Sequence, residues 1–197
     1  MSRRIHLPPV DFPERKIRVQ HRAAQTWWKV HHVSRPPTQF SSNPAHRFSS
    51  PDGRFEVLYL ASDIETCLWE VFGDEVFAGA RTLSYAAWSS RAVSSVEVPS
   101  CRLCNLNSAK TRSAMGCDMT ALTHSDVAIP QAWAKAIQSF PAAFDGLLYQ
   151  SRFTQKPCLA LFSPPFSPPP LSPTDCLPLN EHPEAIRFIA RNTLALI

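Results

Sequence analysis

Five side chains are spaced so that one fold could gather them into a site: Lys29, Arg47, Tyr59, Glu70 and Ser151. In chain order they read basic residue, loop arginine, strand tyrosine, helix glutamate, late serine. A carboxylate fixed on a rigid helix can stabilise developing positive charge or orient a water. A tyrosine offers its aromatic face to a planar ring. Arginine grips phosphate oxygens through a bidentate fork, and lysine does so as a point charge. A serine hydroxyl adds an orienting hydrogen bond. Taken singly, each has a plainer reading. Tyr59 would be core, Glu70 a solvated helix face, Arg47 a surface loop residue and Ser151 a turn residue.

Other chemistries fit less well. The chain has 5 glycines against 19 prolines. The glycines never cluster, so neither a dinucleotide-binding G-x-G-x-x-G turn nor a phosphate loop can form. Any nucleotide must therefore be held by side chains. Cys101 and Cys104 form a C-x-x-C, with Cys117 and His124 following, and four such ligands could hold zinc. The second tight pair and the hairpin glycines are missing, so no metal is expected and buried thiols are the reading adopted. His31 and His32 are adjacent on a strand and point to opposite faces. His124-Ser125-Asp126 has triad letters without triad geometry. Cys67 falls on a buried stripe, which does not suit a nucleophile.

The positioning elements follow from periodicity. Thr26 to His31 is a first strand, closed by the Pro36-Pro37 break. Residues 34–54 form a long, turn-rich loop of the kind that carries function. Phe55 to Ala61 is apolar on both faces and reads as a central strand. Ser62 and Glu65 fit a capping box that opens a helix. Ile64, Cys67, Leu68 and Val71 form its buried stripe, with Glu70 on the rim. Strands are expected at 81–86, 91–98 and 102–106. A helix over 130–140 has Pro130 in its first turn and Trp133, Ala136, Ile137 and Phe140 inward. Residues 147–149 and 158–162 are two buried strands of a hairpin, with a loop at 150–157. Ser163 to Pro178 holds seven prolines and excludes helix or central strand. It reads as a polyproline II or irregular segment wrapping the surface rather than as an SH3 or WW ligand. A last helix at 181–192 carries Ile186 and Ile189 inward.

At 197 residues, one domain preceded by a tail is the expectation. Residues 1–25 read as a basic arm with irregular structure, and residues 26–197 as the domain, with the proline-rich 163–180 inside it. Eight of the 20 Lys and Arg residues lie within positions 1–35, against two acids, in a chain of net charge +4. Such an arm can attract an acidic partner, but a solvated terminus is the simpler reading. No RNP pattern or DNA-reading helix accompanies it, so no direct nucleic-acid contact is expected. Pro8, Pro9 and Asp11 interrupt any signal-peptide core, and no apolar run is long enough to span a bilayer. A cytoplasmic protein with six free thiols is expected, with no membrane contact.

The segment Arg47-Phe48-Ser49-Ser50-Pro51-Asp52-Gly53-Arg54-Phe55, then Val57 to Ala61, then Glu70-Val71, resembles the RES domain, named for its Arg, Glu and Ser. So does Phe144-Asp145-Gly146-Leu147-Leu148-Tyr149-Gln150-Ser151-Arg152, followed by Cys158 to Phe162. The resemblance spans about residues 27–162. It implies an α+β, ADP-ribosyltransferase-like fold with central mixed or antiparallel β-sheets and flanking helices. It implies a bacterial toxin of a type II toxin–antitoxin pair that cleaves the nicotinamide–ribose bond of NAD+ with water or phosphate. The partner implied is an antitoxin of the Xre family, and NAD+ is a substrate, so no cofactor is implied. A homodimer is compatible with the sequence. Carried over by motif, the catalytic residues are Glu70, Tyr59 and Arg47. The NAD+-binding residues are Lys29, Arg47, Tyr59 and Ser151. Lys29 stands where many members have arginine and keeps the charge without the fork. Two alternatives stay open: ADP-ribose transfer onto a protein, and a non-catalytic binding module of the same fold.

Overall fold

The apolar run from Val57 to Ala61 and the strand that Pro36-Pro37 closes after Trp27-Trp28 organise the chain around one large sheet. The computed structural model describes residues 7–79, 81–163 and 172–197. The first elements are β1 (Gln20–Arg22), β2 (Gln25–His32), β3 (Glu56–Ala61), α1 (Ile64–Ala78), β4 (Thr82–Leu83), α2 (Tyr85–Ser89), β5 (Arg91–Val98) and β6 (Cys101–Asn105). They are followed by α3 (Ala109–Met115), α4 (Met119–Leu122), α5 (Ala128–Gln138), β7 (Gly146–Gln150), β8 (Pro157–Ser163), β9 (Ser172–Pro178), α6 (Pro183–Arg191) and β10 (Ala195–Leu196). Eight strands form a sheet in the order β1-β6-β7-β8-β3-β2-β5-β9, and β10 pairs with β4 in a small second sheet. Among the described residues no helix is long and apolar enough to cross a membrane.

β3 is central, as its two apolar faces predict. Val57 and Ala61 enter the main core under the helices, and Leu58 and Leu60 enter a smaller core on the other face. It pairs with β8 along all six of its residues. With β2 it shares the single pair Trp28↔Ala61, while β2 pairs with β5 along all eight of its own. The sheet is therefore forked between β2 and β3. The loop after β2 enters the fork, where the Ser41 and Val57 backbones exchange two hydrogen bonds of 3.0 and 2.9 Å. At the apex the Cys67 thiol donates to the Trp28 carbonyl at 2.9 Å. The β7–β8 hairpin forms as expected. A side chain at Gly146 would run into the Ala160 carbonyl and Leu161 Cα, so the close approach of β7 to β8 requires glycine there.

Several expectations are corrected. The cap of α1 is Asp63, whose carboxylate accepts from the Thr66 amide at 3.0 Å, while Ser62 donates to Asp63 instead of capping. The buried stripe of α1 runs through Ile64, Cys67, Leu68, Phe72 and Val76, and Val71 turns outward toward a cleft. Residues 81–86 form not one strand but the two-residue β4 and the start of α2, because Ser84 accepts from the Ala87 amide and opens a helix. α3, between the Ser108 cap and the left-handed Gly116, and α4 were not predicted. In α6, Ile189 packs against the core as expected, but Ile186 is exposed and Ala185 and Phe188 are the buried residues, with the Phe188 ring edge-on to Trp69.

The basic arm is largely built in: β1 pairs with β6, and Phe12 packs edge-on against Trp133 and Phe140 at 5.5 and 5.4 Å. The proline-rich segment also differs, since Ser172–Pro178 forms an edge strand on β5. Pro173 and Pro178 are tolerated because an edge strand leaves half its amides unpaired. Residues 164–171 of that segment, including its polyproline and SH3 or WW readings, lie outside the described residues. Cys101 and Cys104 fall on opposite sheet faces, one in each core. Among the described residues no group of three or more His, Cys, Asp or Glu is placed to hold a metal.

The reassigned cap has a measurable consequence. Burial opposes the Asp63 charge, but hydrogen bonds from Thr66 and the nearby Lys156 ammonium outweigh it and hold the carboxyl below its ordinary range. Asp63→Ala should cost about 1 kcal/mol in urea unfolding at neutral pH, and Ser62→Ala less. Because the folded pKa is depressed, the Asp63 contribution is full above the ordinary carboxylate range. It disappears as pH falls through the folded value, so the two unfolding curves should converge in acid.

Candidate active site

The fork opens a cleft of about 1040 Å³ between β2, β3, α1 and the loop that precedes β3. This is at the upper end of the roughly 300–1,000 Å³ usual for ligand clefts. Lys29, Arg47, Tyr59 and Glu70 all line it. Ser151 does not: it is fully buried beneath the wall.

Glu70 sits in the second turn of α1, on the rim of the buried stripe as predicted, and is half-buried. The Ser151 hydroxyl donates to its Oε1 at 2.6 Å. The same oxygen accepts from the Phe153 and Thr154 amides at 3.2 and 3.3 Å, a serine turn at the end of β7. One hydroxyl has one proton to donate. Ser151 spends it on Glu70, and its acceptor capacity is taken by the turn. Its influence on a ligand therefore runs through the carboxylate.

Tyr59 lies on the α1 side of β3. Its hydroxyl accepts from the Phe48 amide at 2.9 Å, and the His46 ring meets it edge-on at 5.5 Å. Burial pushes its phenol up to about 12, against the hydrogen bond from Phe48. The Tyr59 side chain thus fastens the end of the loop that carries Arg47. The Arg47 guanidinium lies 5.8 Å from the Phe48 ring and, among the described residues, has no salt bridge. Lys29 Nζ donates to the Gln39 carbonyl at 2.9 Å across the fork. Burial pulls its ammonium down to about 8.

Residues that sequence reasoning placed only in the scaffold also belong here. Tyr149 on β7 lines the cleft and packs edge-on to Phe48 at 5.1 Å. Burial raises its phenol well above the ordinary value, and the Glu70 charge raises it further. Its place inside Gly146-Leu147-Leu148-Tyr149 was the available signal, masked by the apolar run that precedes it in the strand. Arg35 and Arg91 also line the wall, as does Arg152, which pairs with Asp74. Cys158 is pushed up to about 12 by burial, and Cys67 is raised the same way, so neither thiol is a nucleophile at neutral pH. His31, buried, has Nδ1 within 3.0 and 2.9 Å of the His32 and Arg35 carbonyls and Nε2 2.9 Å from Ser94 Oγ, while His32 points outward.

The wall thus sets one immobilised carboxylate among two neutral phenols and several cations. It can stabilise positive charge at one point of a ligand that is anionic elsewhere. Among curated proteins nothing matches this sequence. The chain resembles a crystal structure of the M. tuberculosis MbcT–MbcA toxin–antitoxin complex with a TM-score of 0.63 at 17% identity, over 78% of this chain and 83% of that one. The likeness is one of fold, an α+β arrangement with one large mixed sheet and flanking helices. The RES domain family model matches residues 22–189, from the last residue of β1 into α6 and across the whole cleft. On that match the chain belongs to the RES domain family.

Proposed function

We propose that this protein is the toxin of a toxin–antitoxin pair and acts by cleaving the nicotinamide–ribose N-glycosidic bond of NAD+, with water or phosphate as acceptor. The observation that carries the reading is Glu70, held by Ser151 at 2.6 Å, in a cleft that Lys29, Arg35, Arg47, Arg91, Tyr59 and Tyr149 also line. Nicotinamide departs from the pyridinium as a neutral ring, taking the bonding electron pair, so no general acid is needed. Positive charge then develops on the ribose ring, as in glycoside hydrolysis. A carboxylate already in place stabilises that charge without reorganising. The acceptor oxygen bonds to C1′ and gives its proton to solvent or to Glu70.

The remaining residues bind and orient. Tyr59 supplies an aromatic face for the nicotinamide ring. Arg47 and Lys29 meet the diphosphate in place of a glycine-rich loop. Ser151 is a positioning residue, acting through Glu70. Membership of the RES domain family and the likeness to a structure solved as a toxin–antitoxin complex support a cognate antitoxin, for which an Xre-family protein is the expected class, and a cytoplasmic setting.

Purified protein should deplete NAD+ and release nicotinamide. Glu70→Gln should lower kcat on the order of 10²–10³-fold, and Ser151→Ala should lower it less, with KM nearly unchanged. Full turnover by Glu70→Gln would remove the carboxylate from the mechanism. Labelled NAD+ added to lysate should leave its label in small molecules, and label on one protein band would indicate transfer instead.

Lys29 adds a pH signature. Its folded pKa of about 8 means that the cleft loses a positive charge as pH rises through that value. NAD+ affinity should therefore weaken between about pH 7 and 9, and Lys29→Arg should abolish that dependence because arginine stays charged. Isotope-edited NMR of methylated lysines should show one resonance titrating near 8.

A further inference from the structure

The cleft carries more positive charge than the diphosphate of a dinucleotide needs. Lys29, Arg35, Arg47 and Arg91 line it, and among the described residues none of the four forms a salt bridge. The residues outside that description contain no Asp or Glu. Arg152 is already paired with Asp74. Glu70 faces the sugar in the proposed reaction, so Glu56 is the one carboxylate of the wall still unassigned. The diphosphate of a dinucleotide can be matched by Lys29 and Arg47. Arg35 and Arg91 are left over.

These two are held together. Arg91 is the first residue of β5, opposite His32, with its guanidinium 5.6 Å from the Phe72 ring. Its Nε is buried and has no hydrogen-bond partner. Buried donors in native proteins are nearly always paired, so this one stands out. Arg35 sits in the turn after β2. Its amide donates to the His32 carbonyl at 2.9 Å, and its own carbonyl lies 2.9 Å from His31 Nδ1, which fixes its backbone. Burial, and then the like charge of Arg35, pull the Arg91 guanidinium down, against the weaker opposing charge of Glu75, with which Arg91 forms no salt bridge. A half-buried guanidinium with an unpaired Nε, beside an exposed arginine on the same cleft wall, is better satisfied when an anion lies against both.

We propose that Arg35 and Arg91 form a second anion subsite of this cleft, which takes a phosphate dianion separate from the dinucleotide diphosphate. Such a group carries about −1.5 to −2 at neutral pH, which suits two guanidiniums. Two sources have this chemistry: the 2′-phosphate of a phosphorylated pyridine dinucleotide, and free inorganic phosphate. Only the first rests on the NAD+ reading.

Calorimetry on the full chain tests it. Wild type, Arg35→Ala, Arg91→Met and a control, Arg187→Ala on α6, are titrated with inorganic phosphate at constant ionic strength. Methionine keeps an apolar stem over Phe72, and Arg35→Ala, on an exposed turn, covers the case in which the Arg91 variant folds poorly. NAD+ and its 2′-phosphorylated analogue are titrated in the same set carrying Glu70→Gln. The expected result is phosphate binding, or at least tenfold tighter binding of the phosphorylated dinucleotide, about 1.4 kcal/mol. Either is lost in the Arg35 and Arg91 variants and kept in the control. A dinucleotide preference identifies the 2′-phosphate as occupant, and phosphate binding without it identifies the free ion. Phosphate binding lost in the variants, with neither dinucleotide bound, keeps the subsite and overturns the NAD+ reading. Equal dinucleotide affinities with no phosphate binding, or binding unchanged by either substitution, overturn the subsite and leave that reading standing.

Discussion

Two strands that lie side by side in this sheet, β2 and β3, are joined at one residue pair, and the site depends on that restraint. Separating paired strands strips backbone amides and carbonyls of their partners, and a buried backbone group left unpaired costs about 1–3 kcal/mol. The loop after β2 repairs part of the loss. Ser41 pairs with Val57, Lys29 reaches the Gln39 carbonyl, and the Phe48 amide finds the Tyr59 hydroxyl. The Ser41 pair satisfies backbone groups of the open strand, and all three contacts fix the loop. Phe48 is buried at its end, so Arg47 is delivered to the cleft by a segment with a defined path.

The opposite wall is made by α1. Its buried stripe packs against the sheet, with the Cys67 thiol at the apex of the fork, and this sets the rotation of the helix. Glu70 then faces the opening as a matter of helical geometry. Ser151 removes the remaining side-chain freedom of the carboxylate through one charge-assisted hydrogen bond. Binding and positioning are thus divided among elements far apart in sequence, each held by contacts outside the cleft.

Much of this arrangement was legible in the sequence, for reasons that separate the successes from the failures. β3, β7 and β8 are apolar runs of strand length, α1 carries a buried stripe, and Glu70 follows from the stripe beside it. What misled was choice among near neighbours. Ser62 and Asp63 are both good caps, and only the backbone geometry decides for Asp63. The inward face of α6 keeps Ile189 but takes Ala185 and Phe188 in place of Ile186, because Phe188 finds Trp69, with ring centroids 5.1 Å apart. The basic segment before residue 26 looked detached because its charge hides Phe12 and Ile17, which are core residues. Arg35 and Arg91 gave no local signal, since only strand pairing brings residues so distant to one wall.

Among the described residues the sheet has two unpaired margins, β1 and β9, and their make-up bears on how the protein behaves at high concentration. An unpaired strand edge is a template for aggregation unless it is short, charged or interrupted. β1 is three residues long and contains His21 and Arg22. β9 carries Pro173 and Pro178, and its register shifts against β5 between Ser94 and Val96. Neither rim offers a long, flat, regular ladder to a second molecule. The prolines that blur the reading of this segment therefore act as gatekeepers, keeping an eight-stranded sheet from growing into a fibre.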